Sequence, residues 1–127
     1  MEKLQFDLGR KRYKVGGGVL EMNPTDPNLY SRFLSCLREL EELEASLSAQ
    51  DPSGEALILA MEEADRQVKA ALGRVFPGND MDAIFQGVSL LAVGENGERV
   101  LVNFLAALEP ILRKGAMQCA RAEAAKL

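Results

Sequence analysis

Side chains able to do chemistry are few in this sequence, and their spacing does not gather them. Histidine and tryptophan are absent, which removes the commonest general base and the commonest transition-metal ligand. Cys36 and Cys119 lie far apart on predicted helices and cannot supply a four-ligand zinc site. Neither has a histidine to draw off its proton, so both read as reduced thiols acting as small apolar residues. Glu62 and Glu63 are adjacent and point about 100° apart around a helix, so they cannot converge on one bond. Glu41 and Glu44 share a face, but among other acids on a helix that reads as solvated there. Asp80 and Asp82 have the D-x-D spacing of a calcium loop without its glycine and distal glutamate, and helix capping is expected of them instead. No catalytic residue, no metal and no cofactor is predicted.

The stretch "RKRYKVGGGVL", residues 10–20, is the remaining candidate. A phosphate cradle needs glycines between a strand and a helix, so that helical N–H groups face the anion. Here the three glycines lie between two extended pieces, and no Lys-Ser or Lys-Thr follows. A tight turn or bulge is the better reading. The basic run could neutralise phosphates, but single-strand binding also needs stacking aromatics, and only Tyr13 is near. Nucleic acid is therefore not expected as a partner.

The elements that would position these residues follow from periodicity. Leu4, Phe6 and Leu8 alternate with Gln5 and Asp7, as in a strand with one buried face. A polar turn follows; Tyr13 and Val15, then Val19, Leu20 and Met22, make further short strands. Residues 1–23 thus form an antiparallel hairpin or meander. A first helix over 26–50 has Asp26 as N-cap, Pro27 in its first turn, and apolar residues from Leu29 to Leu47 at three- and four-residue steps. A second, over 52–76, opens on Asp51-Pro52 and stops at Phe76-Pro77-Gly78. A short helix over 79–87 is capped by Asn79 or Asp80. A last helix over 96–124, preferred to a hairpin at Asn96-Gly97, should kink at Pro110. Residues 115–127 are thin in large apolar groups and are expected to fray or await a partner. The fold class is α+β, mostly α, in a single domain over 1–127. The expected core comprises Phe6, Phe33, Leu37, Leu40, Leu57, Met61 and Val68, with Leu72, Ile84, Phe85, Phe104, Leu105, Leu108 and Ile111. Arg99 is expected at the surface.

Composition limits the class further. The chain has 127 residues, 47% of them hydrophobic, and a net charge of −4. No apolar run nears the ~18 residues of a membrane span, and "MEKLQFDLG" lacks a signal peptide's apolar core, so a cytoplasmic protein is expected. Residues 1–14 carry five bases against two acids, whereas residues 39–65 carry nine acids and no base. Such asymmetry permits a homo-oligomer or docking on a basic partner.

Two further stretches, "VFPGNDMDAIFQG" and "VLVNFLAALEPILRKG", resemble the C-terminal half of small tail assembly chaperones of long-tailed phages and prophages of Gram-positive bacteria. Phe76, Gly78, Ile84, Phe85, Gly87, Phe104, Leu105, Leu108, Pro110, Ile111 and Lys114 match that family's pattern, with Pro77 intruding between Phe76 and Gly78. "FDLGRKRYKV…LEMNPTDP" resembles the strand pair and "N-P-x-D-P" of such proteins. The resemblance implies a non-enzymatic chaperone in the bacterial host cytoplasm. Its partner would be the tape measure protein, a long helical chain shielded during tail morphogenesis. Such a role needs apolar helical surface, and Leu43, Leu47, Pro110, Ile111, Arg113, Lys114 and Met117 are the partner-binding residues expected. The alternatives are a structural tail or head–tail junction protein, or a small host adaptor or regulator whose basic turn contacts nucleic acid.

Overall fold

Asp26 turns the chain into its first long helix: its carboxylate accepts the Asn28 N–H at 2.9 Å, and Pro27 occupies the position where a missing N–H costs nothing. In a computed structural model of the chain, which describes residues 1–49 and 54–126, the elements run as follows. A hairpin of β1 (Lys11–Val15) and β2 (Gly18–Met22) leads into α1 (Pro27–Ala49) and α2 (Glu55–Val75), then a single turn α3 (Met81–Ile84) and the long α4 (Val100–Ala124). The chain is thus α+β and mostly helical. The expected cap at Asp51-Pro52 lies outside the described residues.

The two strands are antiparallel, with Tyr13 opposite Leu20 and Val15 opposite Gly18. Gly16, at the first central position of the two-residue turn, has φ +54° while Gly17 does not share the positive φ. That is the type II′ pattern, whose twist matches the strands it joins. The glycines serve packing as well. A Cβ on Gly17 would overlap the Gln86 side chain, and one on Gly18 would lie 3.0 Å from the Ile84 Cα. The glycine run is a turn pressed against α3.

α2 runs antiparallel to α1, since Arg74 near its end pairs with Glu39 at 2.6 Å. Arg32, near the start of α1, donates to the Val75 carbonyl at 3.2 Å, supplying a partner for a last-turn carbonyl of α2. α4 is also antiparallel to α1. Its cap residue Arg99 reaches Glu44 at 3.2 Å, while Gly115 is pressed on the Pro24 carbonyl so closely that a Cβ would overlap it. The shared core joins Leu20 and Met22 of β2, Leu29, Phe33 and Leu40 of α1, Leu72 and Val75 of α2, and Leu108 and Leu112 of α4.

Several expectations are corrected here. Residues 1–10 form no strand, and Leu4, Phe6 and Leu8 are 93%, 74% and 57% exposed, so Phe6 is not in the core. The Leu8 carbonyl is held by the Asn23 side-chain amide at 2.9 Å, and the chain before it runs outward. The short helix ends at Ile84 because Gln86, with φ +56°, and Gly87 turn left-handed. The last helix begins at Val100. Asn96-Gly97 does form the tip of a small turn, closed by the Val93–Arg99 bridge, and the Val100 and Leu101 N–H groups find partners in the Ala92 and Leu90 carbonyls. Those two bonds satisfy a helix start that has no side-chain cap. The helix runs on through Pro110 and Gly115 to Ala124. Pro110 lies on the exposed side, and Ala106, whose carbonyl it leaves without a helical partner, is exposed to water. Arg99, expected at the surface, is half-buried by its ion pair.

Among the other expected core residues, Phe33, Leu40, Val68, Leu72, Ile84 and Leu108 are buried. Leu37, Phe85, Phe104, Leu105 and Ile111 are only half-covered and pack against that cluster. Leu57 and Met61, in the first half of α2, are also half-buried.

Candidate protein-docking groove

α4 presents Val100, Phe104, Ala107 and Ile111 at steps of four, three and four residues, so all four lie along one stripe. Over eleven residue steps that stripe is about 16 Å long. Opposite it stands the inner face of the hairpin, with Tyr13, Val15, Leu20 and Met22. Between the two walls lies an open groove of about 520 Å³, closed at one side by Ile84, Phe85 and Gln86. Phe85 and Phe104 meet edge to face, their ring centroids 5.1 Å apart and their planes at 88°, a favoured arrangement for two aromatic quadrupoles.

The lining is mostly apolar, with four polar groups from Tyr13, Lys14, Gln86 and Asn103. Asn103 is tied to Asn96 at 2.8 Å, so the turn before α4 fixes one of these amides. An apolar wall with a few placed polar groups suits burial of side chains more than bond-making.

Behind the groove, Lys69 clamps the turn that carries Phe85. Its ammonium lies 3.0 Å from Asp65 and 2.7 Å from Asp82, and Asp65 accepts the Leu90 N–H at 2.8 Å. Burial opposes the Lys69 charge, but its hydrogen bonds to Asp82 and Asp65 outweigh that cost and raise its pKa above the ordinary lysine value. Lys69 therefore stays an ammonium and serves as a tether, not as a base. Asp80 caps the Ala83 N–H at 3.1 Å, so both acids of the D-x-D spacing have structural partners. Among the described residues no group of His, Cys, Asp and Glu could hold a metal ion.

Neither cysteine is bonded to the other. Cys36 is buried in the core, and its thiol is pushed up to about 11, first by burial and then by Glu39, against a smaller opposing effect of Arg74. A thiol so raised is a poor nucleophile at neutral pH.

The seven residues expected to bind a partner do not form one surface. The antiparallel pairing of α1 and α4 sends Leu43 and Leu47 toward the start of α4, and Pro110 to Met117 toward the start of α1. Leu43 sits in the seam between α1 and α2 beside Ala70 and Arg74. Pro110, Arg113, Lys114 and Met117 are exposed outside the groove, with Arg113 paired to Glu109 at 3.4 Å. Only Ile111 lines the groove. The groove residues Tyr13, Gln86, Asn103 and Ala107 carried no sequence signal of a shared site. One hint existed in α4: Leu101, Phe104, Leu105, Leu108, Ile111 and Leu112 make a stripe wider than one neighbouring helix can cover.

Comparison with family models, with curated proteins and with solved structures finds no match to this chain. Among the described residues no helix is long and apolar enough to cross a membrane.

Proposed function

We propose that this chain is a non-enzymatic chaperone that holds a helical segment of another protein in the groove between its hairpin and α4. The supporting observation is the stripe of Val100, Phe104 and Ile111, half-exposed, and Ala107, exposed, along an apolar trough. A helix with apolar residues at i, i+3, i+4 and i+7 would lie along such a stripe and bury both faces. Ala107, small and central, would let the two backbones approach closely. Tyr13, Asn103 and Gln86 would bond polar groups at the margin and fix the register.

The partner we assign is the tape measure protein of a phage or prophage tail. That assignment comes from the resemblance of residues 76–114 to tail assembly chaperones, and the groove provides what such a task needs. A long helical chain would be covered segment by segment until the tail tube forms. Coexpression with a tape measure protein tests the proposal. The expected result is a soluble complex, lost on Ala107→Glu, with the variant still folded by circular dichroism. A tape measure protein that stays insoluble, or a complex indifferent to Ala107→Glu, would overturn it. Recovery of the chain in finished particles would favour a structural tail role instead.

A further inference from the structure

The segment before β1 carries three large apolar side chains, Leu4, Phe6 and Leu8, and covers none of them. Their alternation is that of a strand with one apolar face. The hairpin beside it has one satisfied edge and one open edge. On β2, the Glu21 N–H donates to the Asn79 side-chain oxygen at 2.9 Å, and the Asn79 amide donates to the Glu21 carbonyl at 3.0 Å. Asn79 thus takes the place of a third strand there. Glu21 therefore belongs to the rows whose backbone groups point away from the partner strand, and so does Arg12 opposite it. By alternation Lys14 does too. On that side of β1 no strand pairs among the described residues.

We propose that a second copy of this chain fills this edge: residues 3–7 of each copy pair with β1 of the other, and Leu4 and Phe6 enter the other copy's groove. The inward side chains of β1, Tyr13 and Val15, already form one wall of that groove. A strand added at the open edge places its apolar face over the groove beside them. Charge agrees with this occupant. β1 carries Lys11, Arg12 and Lys14 and no acid, and residues 2–8 bring two acids, Glu2 and Asp7, against one base, Lys3. The chain's own arm is held away from the site. Asn23 fastens the Leu8 carbonyl beside the start of α1, and the Leu8 side chain lies near Arg32, Phe76 and Pro77, on a surface separate from the groove. Gly9, with φ +69°, is the joint between arm and hairpin. The exchange is reciprocal about a two-fold axis, so each added contact is made twice, as in a domain swap. The two arms have five paired residues each, about 17 Å of added strand per copy.

This inference rests on reading the groove as a docking site, but not on the identity of the helical partner. The arm then holds the groove in the free protein, and the partner helix must displace it. Sedimentation equilibrium of the full chain at sub-millimolar concentration is the test, alongside a chain lacking residues 1–8 and the Ala107→Glu chain. The expected result is a mass of two copies for the full chain and of one copy for both variants. A peptide of residues 1–10 should bind the shortened chain and not the shortened chain carrying Ala107→Glu. A full chain of single mass overturns the exchange, as does a dimer that survives loss of the arm. A dimer lost with the arm but kept in Ala107→Glu overturns the groove as its seat. If the shortened chain still solubilises a tape measure protein while the full chain is monomeric, the exchange fails and the proposed function stands. If the dimer behaves as expected but no tape measure complex forms, the reverse holds.

Discussion

Residues 4–8 and residues 20–22 both alternate apolar with polar side chains and finish in opposite surroundings. Leu20 and Met22 are among the buried residues of the core, while Leu4, Phe6 and Leu8 face solvent. The difference is not in the side chains. β2 has a partner on each edge, β1 on one side and the Asn79 amide on the other, and its inner face meets the helical core. The earlier segment has neither a paired edge nor a core-facing side. Alternation therefore states that a segment can bury one face, and the partner decides whether it does.

The contrast is most easily broken at Leu20. Replacing it with Ala removes a fully covered side chain from the junction of hairpin and helices, where the neighbours are already packed and little collapse is expected. A loss of about 3 kcal/mol should follow in urea unfolding monitored by circular dichroism. A loss below about 1 kcal/mol would mean that the hairpin is not part of the cooperative core.

What could be read from the sequence follows the same division. The four helices were legible because their apolar residues recur over several turns and because Asp26-Pro27, Asp80 and Pro77-Gly78 mark ends with definite chemistry. The start of α4 was not, since the Val100 and Leu101 N–H groups are satisfied by Ala92 and Leu90 carbonyls that no local motif announces. Phe104 read as core because periodicity identifies the inward face, but not how much of it a neighbour covers. Here its ring meets Phe85 and then opens onto the groove. The groove was illegible for a related reason. Its walls come from residues 13–22, 84–88 and 100–111, and only the helix packing brings them together. The clamp of Lys69 on Asp65 and Asp82 likewise joins two elements whose spacing carries no pattern.

A second way to sharpen the comparison is alkaline pH, which acts on the packed region and not on the arm. Cys36 belongs to the same buried cluster as Leu20 and Met22. Its pKa rises from the ordinary 9.0 to about 11 on folding, chiefly through burial. Between those values the unfolded chain has lost the thiol proton and the native chain keeps it, so the unfolded state binds fewer protons and stability falls as pH rises. The loss should reach about 2 kcal/mol near pH 11. Lys69 adds in the same direction: its raised pKa gives stability that is present at neutral pH and is lost as pH climbs through the folded value. A Cys36→Ala chain should show a shallower decline over the same window. An equal decline would place Cys36 in contact with water.

The smallest effect belongs to Phe6. If Phe6 touches nothing in its own chain, Phe6→Ala should change monomer stability by less than about 0.5 kcal/mol, the range of exposed substitutions. Dilution must first separate any paired copies, because a side chain seated in a second molecule would contribute through association instead. Urea unfolding at several protein concentrations separates the two. With an arm that serves only a second copy, the difference between the parent chain and the Phe6→Ala chain should be near zero when dilute and grow with concentration. A loss above about 1.5 kcal/mol that does not vary with concentration would place Phe6 against its own core. The two alternating segments would then differ only in position, and β1 would no longer have an edge waiting for another chain.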